Sequence, residues 1–268
     1  MKTYCVNPVF KTVATLVREY YGADRKYDKY MVFFGYNLPD SEHTSLFNEM
    51  ITQAKVDGYT TVIYQLEQLF RSSYWVNPMT LARLQMVDEI WDYDYENIGF
   101  MVDKMRIKTP MKFRPMLYCN SLKTINHKSA KDKDIDILFY GGMNESRQRS
   151  LTYIQRNIHP YKIEFIQNVW GSDLDEYIAR AKIVLNLHFF PDNRQEQVRM
   201  FPLVSNGCCV VSEFSESNHM GNSIMNVPLD DIPGVCRELL RTGAWESFGR
   251  GAMHRYKALS ADYFKRFR

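Results

Sequence analysis

Two groups of residues have types and spacings suited to chemistry. In the second half of the chain, Gly141-Gly142-Met143-Asn144 lies between an apolar run and a polar, periodic segment carrying Arg147 and Arg149. Glycines there let the backbone approach a ligand closely, a helix start offers unpaired N–H groups to a phosphate, and the arginines add positive charge. Further on, an apolar run leads into His188-Phe189-Phe190-Pro191-Asp192-Asn193, followed by a segment with Glu196 and Arg199, and another run closes on Ser212-Glu213. Trp170 follows a fourth run, as a ring placed either to stack on a nucleobase or to pack in the core. In the first half, the acids Glu67, Asp92 and Asp94 each follow an apolar run closely.

Parallel strands must position these groups. Short runs rich in β-branched and aromatic residues alternate with longer periodic segments, the pattern of strands joined through helices, so the fold class is α/β. Strands are predicted at 30–34, 60–64, 89–91 and 114–117, then at 135–140, 162–166, 183–187 and 208–211. Helices are predicted at 41–55, 78–86 and 97–105, then at 145–156, 174–181, 195–205 and 232–242. In open parallel sheets, ligands sit outside the carboxyl ends of the strands, and that rule selects 141–144, 167–170, 188–194 and Ser212-Glu213 in the second half, and Glu67, Asp92 and Asp94 in the first. The polar stretch 121–134 reads as a linker. This gives an N-terminal Rossmann-like domain at 1–128, a C-terminal one at 129–243, and a helical tail at 244–268. No internal repeat is visible.

Three blocks of the second half, Ile137-Leu-Phe-Tyr-Gly-Gly-Met-Asn-Glu-Ser-Arg147, Leu185-Asn-Leu-His188 and Glu196-Gln-Val-Arg199 through Asn206-Gly-Cys-Cys-Val-Val-Ser-Glu213, resemble the donor-binding half of GT-B glycosyltransferases. The likeness covers roughly residues 135–215. Weaker likeness to bacterial and phage relatives continues at Tyr64-Gln-Leu-Glu-Gln68 and Ile90-Trp-Asp-Tyr-Asp-Tyr-Glu-Asn97. The resemblance implies two Rossmann-like domains facing a cleft, a nucleotide sugar, most simply a UDP-sugar, as co-substrate, and no tightly bound cofactor or required divalent metal. It implies that Arg199, Arg147 and Arg149 neutralise the diphosphate leaving group, whose charge grows as the glycosidic bond breaks. Gly141, Gly142 and Asn144 belong to the same donor site, and His188 stands where it could bond a phosphate or the sugar.

The family's helix carries an arginine, three residues later a glutamate for the donor ribose, and a glycine five residues on. This chain has Arg199 and Gly207, but Pro202 replaces the glutamate. Proline supplies neither acceptor side chain nor N–H, so either Glu196 or Glu213 takes the ribose or the nucleotide sits differently. The first half is then expected to bind the acceptor. An inverting reaction needs a carboxylate base, and Glu67, Asp94 and Asp92 are the candidates, with His43 an alternative. In a retaining reaction the leaving phosphate itself can take the proton. Asp92-Tyr93-Asp94 also spells the D-x-D pattern with which GT-A enzymes hold a metal, a competitor that the second-half motifs oppose.

Bulk properties set limits. At 268 residues, 45% hydrophobic and 24% charged, the chain is globular rather than disordered. It has no apolar run long enough to span a bilayer and no signal-peptide core, so a cytosolic location is expected, in the host if the source is a phage. The odd number of cysteines, 5, points to free thiols, with no zinc site. Net charge is only +3, but Lys104, Arg106, Lys108, Lys112, Arg114, Lys123, Lys128 and Lys131 form a run without an acid. The final residues again mix bases with Tyr256, Tyr263, Phe264 and Phe267. Such stretches attract polyanions, although solvated faces look alike. Duplex DNA carrying 5-hydroxymethylpyrimidines is therefore the leading acceptor, with a cell-surface or capsular glycan the alternative. A GT-B-shaped module that binds without catalysis would fit Pro202. A nucleotide-binding oxidoreductase would need a G-x-G-x-x-G loop, which the chain lacks.

Overall fold

The computed structural model describes residues 1–5, 10–37, 42–71, 75–190 and 195–267, with 42–45 and 267 described by backbone alone. The His43 side chain and Pro191 to Arg194 lie outside this description. The chain forms two compact units, Met1–Met116 with Tyr263–Arg268, and Leu117–Asp262.

The first unit is a parallel sheet in simple sequence order: β1 (Lys2–Cys5), β2 (Tyr30–Phe34), β3 (Thr60–Gln65), β4 (Glu89–Asp92) and β5 (Met111–Phe113). Between the strands run α1 (Lys11–Tyr21), α2 (Glu42–Val56), α3 (Pro78–Met86) and α4 (Tyr95–Asp103). Successive side chains of a strand point to opposite faces. Accordingly Phe33, Ile63 and Ile90 pack with Phe47 and Ile51 of α2, Leu84 of α3 and Met101 of α4. Tyr64 and Trp91 face the other way, and Trp91 meets Tyr21 of α1 and Tyr27. The strand expected at 114–117 lies at Met111–Phe113 instead. Arg114 N–H still donates to Asp92 O at 2.7 Å, but Pro115 has no N–H and stops the ladder.

The second unit holds β6 (Ile135–Tyr140), β7 (Ile163–Ile166), β8 (Ala181–Asn186), β9 (Cys209–Glu213) and β10 (Met225–Val227). All pair in parallel, in the order β10-β9-β8-β6-β7. The order reverses at β6, whose neighbours are β7 on one side and β8 on the other. Helices α5 (Glu145–Asn157), α6 (Gly171–Arg180), α7 (Gln197–Ser205), α8 (Ile232–Thr242) and α9 (Ala244–Phe267) complete the unit, apart from the last residues of α9. Ile137, Phe139, Ile183, Leu185 and Val211 build a core with Leu151 and Ile154 of α5, Cys236 and Leu239 of α8, and Trp245 of α9. The opposite face is covered by α6 against β6 and β8, and by α7 against β9.

The polar stretch that reads as a linker is tied to this second unit. Cys119 N–H donates to Ser205 Oγ, Ile125 N–H to Asn206 Oδ1 and Lys128 N–H to Ala179 O. All five cysteines are free, and burial pushes the Cys208 thiol up to about 12. Among the described residues no helix is long and apolar enough to cross a membrane.

Candidate active site

A sheet whose order reverses opens a crevice at the switch point, where the loops from two neighbouring strands part to opposite faces. In the second unit that point lies between β6 and β8, and the polar residues gather there. Gly141 follows β6 with φ +123°, a conformation that side-chain-bearing residues rarely adopt. A Cβ at this position would lie 2.9 Å from Arg199 Nη2 and 3.9 Å from Arg147 Nη1. The absent side chain is thus what lets the Arg199 guanidinium approach the loop, while Arg147 stands at ordinary contact distance. Gly142 is covered by the Phe189 ring, 3.6 Å from where its Cβ would be.

Asn144 caps α5, accepting from Arg147 N–H at 2.9 Å through Oδ1, and its amide donates to Phe189 O. The first N–H groups of α5 before Arg147 have no partner within the helix. Arg147 is buried. Its Nε and Nη2 donate to Leu187 O at 3.1 and 2.8 Å, Nη1 donates to Gly142 O at 2.7 Å, and Glu196 lies 3.6 Å away. Burial and the charge of Arg199 push its pKa down to about 10, which still leaves it charged at neutral pH. Arg147 therefore clamps the ends of β6 and β8 together and supplies charge, with most of its donors already used.

Arg199, on α7, is only half-buried, and its guanidinium makes one hydrogen bond among the described residues, from Nη1 to Asn186 Oδ1 at 3.2 Å. Its remaining N–H groups lie beside Gly141. Asn186 is the last residue of β8 and fully buried, and its amide donates to Glu196 at 2.9 Å and to Ser212 Oγ at 3.1 Å. Asparagine in this role was not singled out in the sequence. Its place as the last residue of a strand, two before His188, was the available signal.

Glu196 receives Asn186, the His188 ring at 3.0 Å and Phe189 N–H at 3.2 Å. Burial alone would raise its pKa, but these bonds and the charges of His188 and Arg199 hold the carboxyl down at about 2. His188 is likewise occupied, with Nε2 near Phe214 O at 2.9 Å and Ser215 Oγ at 3.2 Å. Burial opposes its charged form, yet the bond and charge of Glu196 bring its pKa above the ordinary histidine value. Glu213, half-buried at the end of β9, accepts His188 N–H at 2.9 Å through Oε2. Oε1 has no protein donor among the described residues.

Two expected donor residues stand apart. Arg149 pairs with Glu145 at 2.6 Å on the outer face of α5, its side chain 69% exposed, because residues two apart on a helix point in different directions from Arg147. Trp170 is 65% exposed at the start of α6, so it is not a core residue. The adjoining Gln167 amide reaches Gly141 O at 3.4 Å, which ties the β7–α6 loop to the glycine loop.

The first unit brings all three acids to the carboxyl ends of β3 and β4. Asp92 is fully buried. Its Oδ1 accepts Asp94 N–H at 2.8 Å, and its Oδ2 accepts the amides of Gln65 and Asn97 at 3.1 and 3.0 Å. Burial drives its pKa well above the ordinary carboxylate value. Asp94 caps α4 through the N–H groups of Glu96 and Asn97. Glu67 is half-buried, its backbone held by Gln65 Oε1 at 2.6 Å and by the Asn97 amide at 2.6 Å. Burial raises its pKa, with the neighbouring Asn37 amide opposing. No group of three or more His, Cys, Asp or Glu side chains converges as a metal shell among the described residues.

The basic run is partly consumed by the fold. Arg114 is buried against Tyr21 and Trp91, Lys112 pairs with Glu89 and Lys128 with Glu176, whereas Lys104, Arg106, Lys108, Lys123 and Lys131 remain exposed. Of the aromatic residues of the tail, Tyr256 is buried and Phe264 rests on Tyr20 and Tyr21.

The same architecture occurs in solved structures. The chain superposes with TM-score 0.62 and 11% identity on an α-glucosyltransferase solved in complex with UDP and a 13-mer DNA containing a HMU base, over 97% of this chain and 82% of that one. A second such complex gives TM-score 0.60 and 10% identity, over 94% and 84% of the two chains. The fold is GT-B. No family model matches. An uncharacterized protein of Acanthamoeba polyphaga mimivirus is 24% identical over 153 residues, 56% of this chain, and the chain spans about half the length of that curated relative.

Proposed function

We propose that this protein is a glycosyltransferase that takes a sugar from a nucleotide sugar, a UDP-sugar first of all, and places it on an acceptor hydroxyl. The observation that carries this reading is Arg199, a half-buried cation with spare donors laid against a glycine loop at a switch point. Such a site suits a diphosphate: donors already oriented stabilise the charge that builds on the leaving group, at no reorganisation cost. Arg147 contributes a second positive charge and holds the loops, and the α5 N-terminus adds N–H groups. With Glu196 saturated and Pro202 in the helix, Glu213 Oε1 is the carboxylate oxygen left to accept a ribose hydroxyl. Trp170 offers an exposed ring for the nucleobase.

For the acceptor, the leading reading is 5-hydroxymethylpyrimidine in duplex DNA. The exposed lysines and arginine of 104–131 support it, as does the fold shared with an α-glucosyltransferase that was solved with UDP and DNA containing a HMU base. Glu67 is the acid suited to act as base, because Asp92 is sealed and Asp94 is committed to its helix. A carboxyl with a raised pKa is the more basic one, and Glu67 retains access to solvent.

The test is to incubate the protein with a panel of nucleotide sugars and DNA containing 5-hydroxymethylcytosine, then digest the DNA and weigh the nucleosides. A hexose or pentose added to the modified nucleoside is the expected result. Transfer to a capsular glycan but not to DNA would redirect the acceptor. Absence of transfer and of donor binding would leave a GT-B-shaped binding module.

A further inference from the structure

The carboxyl edge of the first sheet carries an aromatic surface as well as acids. Tyr95 is the first residue of α4, and its ring lies flat on that of Phe113, the last residue of β5, with centroids 3.9 Å apart and planes 10° from parallel. Phe113 is buried beneath it, yet Tyr95 is 51% exposed, so the side of the ring turned away from Phe113 faces solvent. A ring held flat from one side loses little freedom when a second flat group stacks on the other. Neighbouring strands lie about 5 Å apart, so this ring stands about 10 Å along the edge from the end of β3, which Glu67 follows closely. Asn97, two residues after Tyr95, donates to Glu67 O at 2.6 Å and ties the start of α4 to the loop of that acid.

The end of α9 comes to the same place. Tyr263–Arg268 belongs to the first unit, Phe264 rests on Tyr20 and Tyr21, and the Tyr263 phenol adds to burial in raising the Tyr95 pKa. Lys265 and Arg266 follow in the last turn, both exposed and without an ion pair among the described residues. Of the acids beside Tyr95 in sequence, Asp94 caps α4 and Glu96 is exposed. A flat exposed ring flanked by unspent cations is the combination that holds a strand of nucleic acid, whose bases offer π-faces and whose phosphates offer negative charge.

We propose that Tyr95 is a stacking platform for an unpaired base of the acceptor DNA, and that Lys265 and Arg266 hold the phosphates of the strand that carries it. This deepens the reading of DNA as acceptor and rests on it. All of its parts belong to the first unit. The ring takes a base by its face, so it is tolerant of sequence. Bases inside a duplex are stacked on one another and show the ring no face, so the surface engages DNA whose bases are unpaired. A neutral glycan gains nothing from the two cations, which is why the occupant is a nucleic-acid strand.

The experiment measures, by fluorescence anisotropy, binding of a labelled oligothymidine strand and of the same strand paired with its complement. Wild type should bind the single strand, and Tyr95→Ala should weaken that binding about fivefold or more, the effect of removing one base stack. Tyr95→Phe should keep the affinity within about twofold and Tyr95→Leu should lose it as alanine does, because stacking needs the flat ring rather than the hydroxyl or apolar bulk. Phenylalanine and leucine both keep Phe113 covered, so their comparison stands even if the alanine variant melts lower. In Lys265→Ala/Arg266→Ala the slope of log affinity against log salt should fall by about 0.7 for each cation removed. No single-strand binding by wild type overturns the platform. So does an affinity that Tyr95→Ala leaves unchanged, which would hand the ring to a sugar acceptor, or leucine serving as well as phenylalanine. An equal loss on the duplex, or an unchanged salt slope, overturns it too. Sugar transfer to hydroxymethylcytosine DNA, assayed on the same wild-type sample, reports on the acceptor reading separately. Transfer with strand binding indifferent to Tyr95 sinks the platform alone, and ring-dependent binding without transfer sinks the acceptor reading instead.

Discussion

The two sheets treat their carboxylates in opposite ways. At the carboxyl edge of the second, Glu196 is surrounded by Asn186, His188, Phe189 N–H and arginines, and stays ionised down to about 2. At the edge of the first, Glu67 and Asp92 meet amides and burial but, among the described residues, no arginine bond, and both titrate above the ordinary range. The residue types are the same, and the environment sets the role. One edge builds fixed charge to hold and orient cations. The other carries the carboxyl proposed to take a proton. A reaction that must stabilise an anion and deprotonate a hydroxyl needs both.

Substitutions can break this contrast on either side. Glu67→Gln removes the proposed base and should lower kcat about 10³-fold with donor affinity unchanged, provided the reaction inverts configuration. In wild type, the acid limb of kcat/KM should fall above the ordinary glutamate value of 4.5, since Glu67 must be deprotonated and its pKa is raised. Arg199→Ala on the other edge should cut turnover about 10²-fold. Gly141→Ala should weaken donor binding about tenfold, from strain of roughly 1–3 kcal/mol at positive φ and the clash with Arg199. Trp170→Ala should have the smallest effect, about fivefold on nucleotide affinity, from a lost stack of about 1 kcal/mol.

The pH dependence of stability separates the edges as well. Glu196 has a depressed pKa, so its contribution is present above the unfolded value of 4.5 and is lost as pH falls toward about 2. Glu67 has a raised pKa, so it costs stability as pH rises through the ordinary carboxylate range. Melting curves from pH 2 to 7, compared with Glu196→Gln and Glu67→Gln, should diverge from wild type in opposite directions.

The sequence exposed the strands that are apolar runs and the helices with clear periodicity. The run 135–140 coincides with β6, and 232–242 with α8. It hid β1 and β10, which are short edge strands with too few apolar residues to show as runs. The strand-end rule located the loops that matter, because topology fixes which backbone ends share an edge. It did not reveal how the side chains are spent. Arg147 and Arg149 look equivalent in sequence, but a turn of 200° around α5 buries one and exposes the other. Asn186 lies in the block 185–188, but only packing shows that it wires Arg199 to Glu196.

The central claim is that a nucleotide diphosphate binds against Arg199 and the Gly141 loop. Its most direct test is the melting temperature of wild type and Arg199→Ala with saturating UDP and UDP-sugars. Wild type should be stabilised by several degrees, and the variant, folded and melting normally without ligand, by little or nothing. No shift in wild type with any nucleotide sugar, or an equal shift in the variant, would contradict the account.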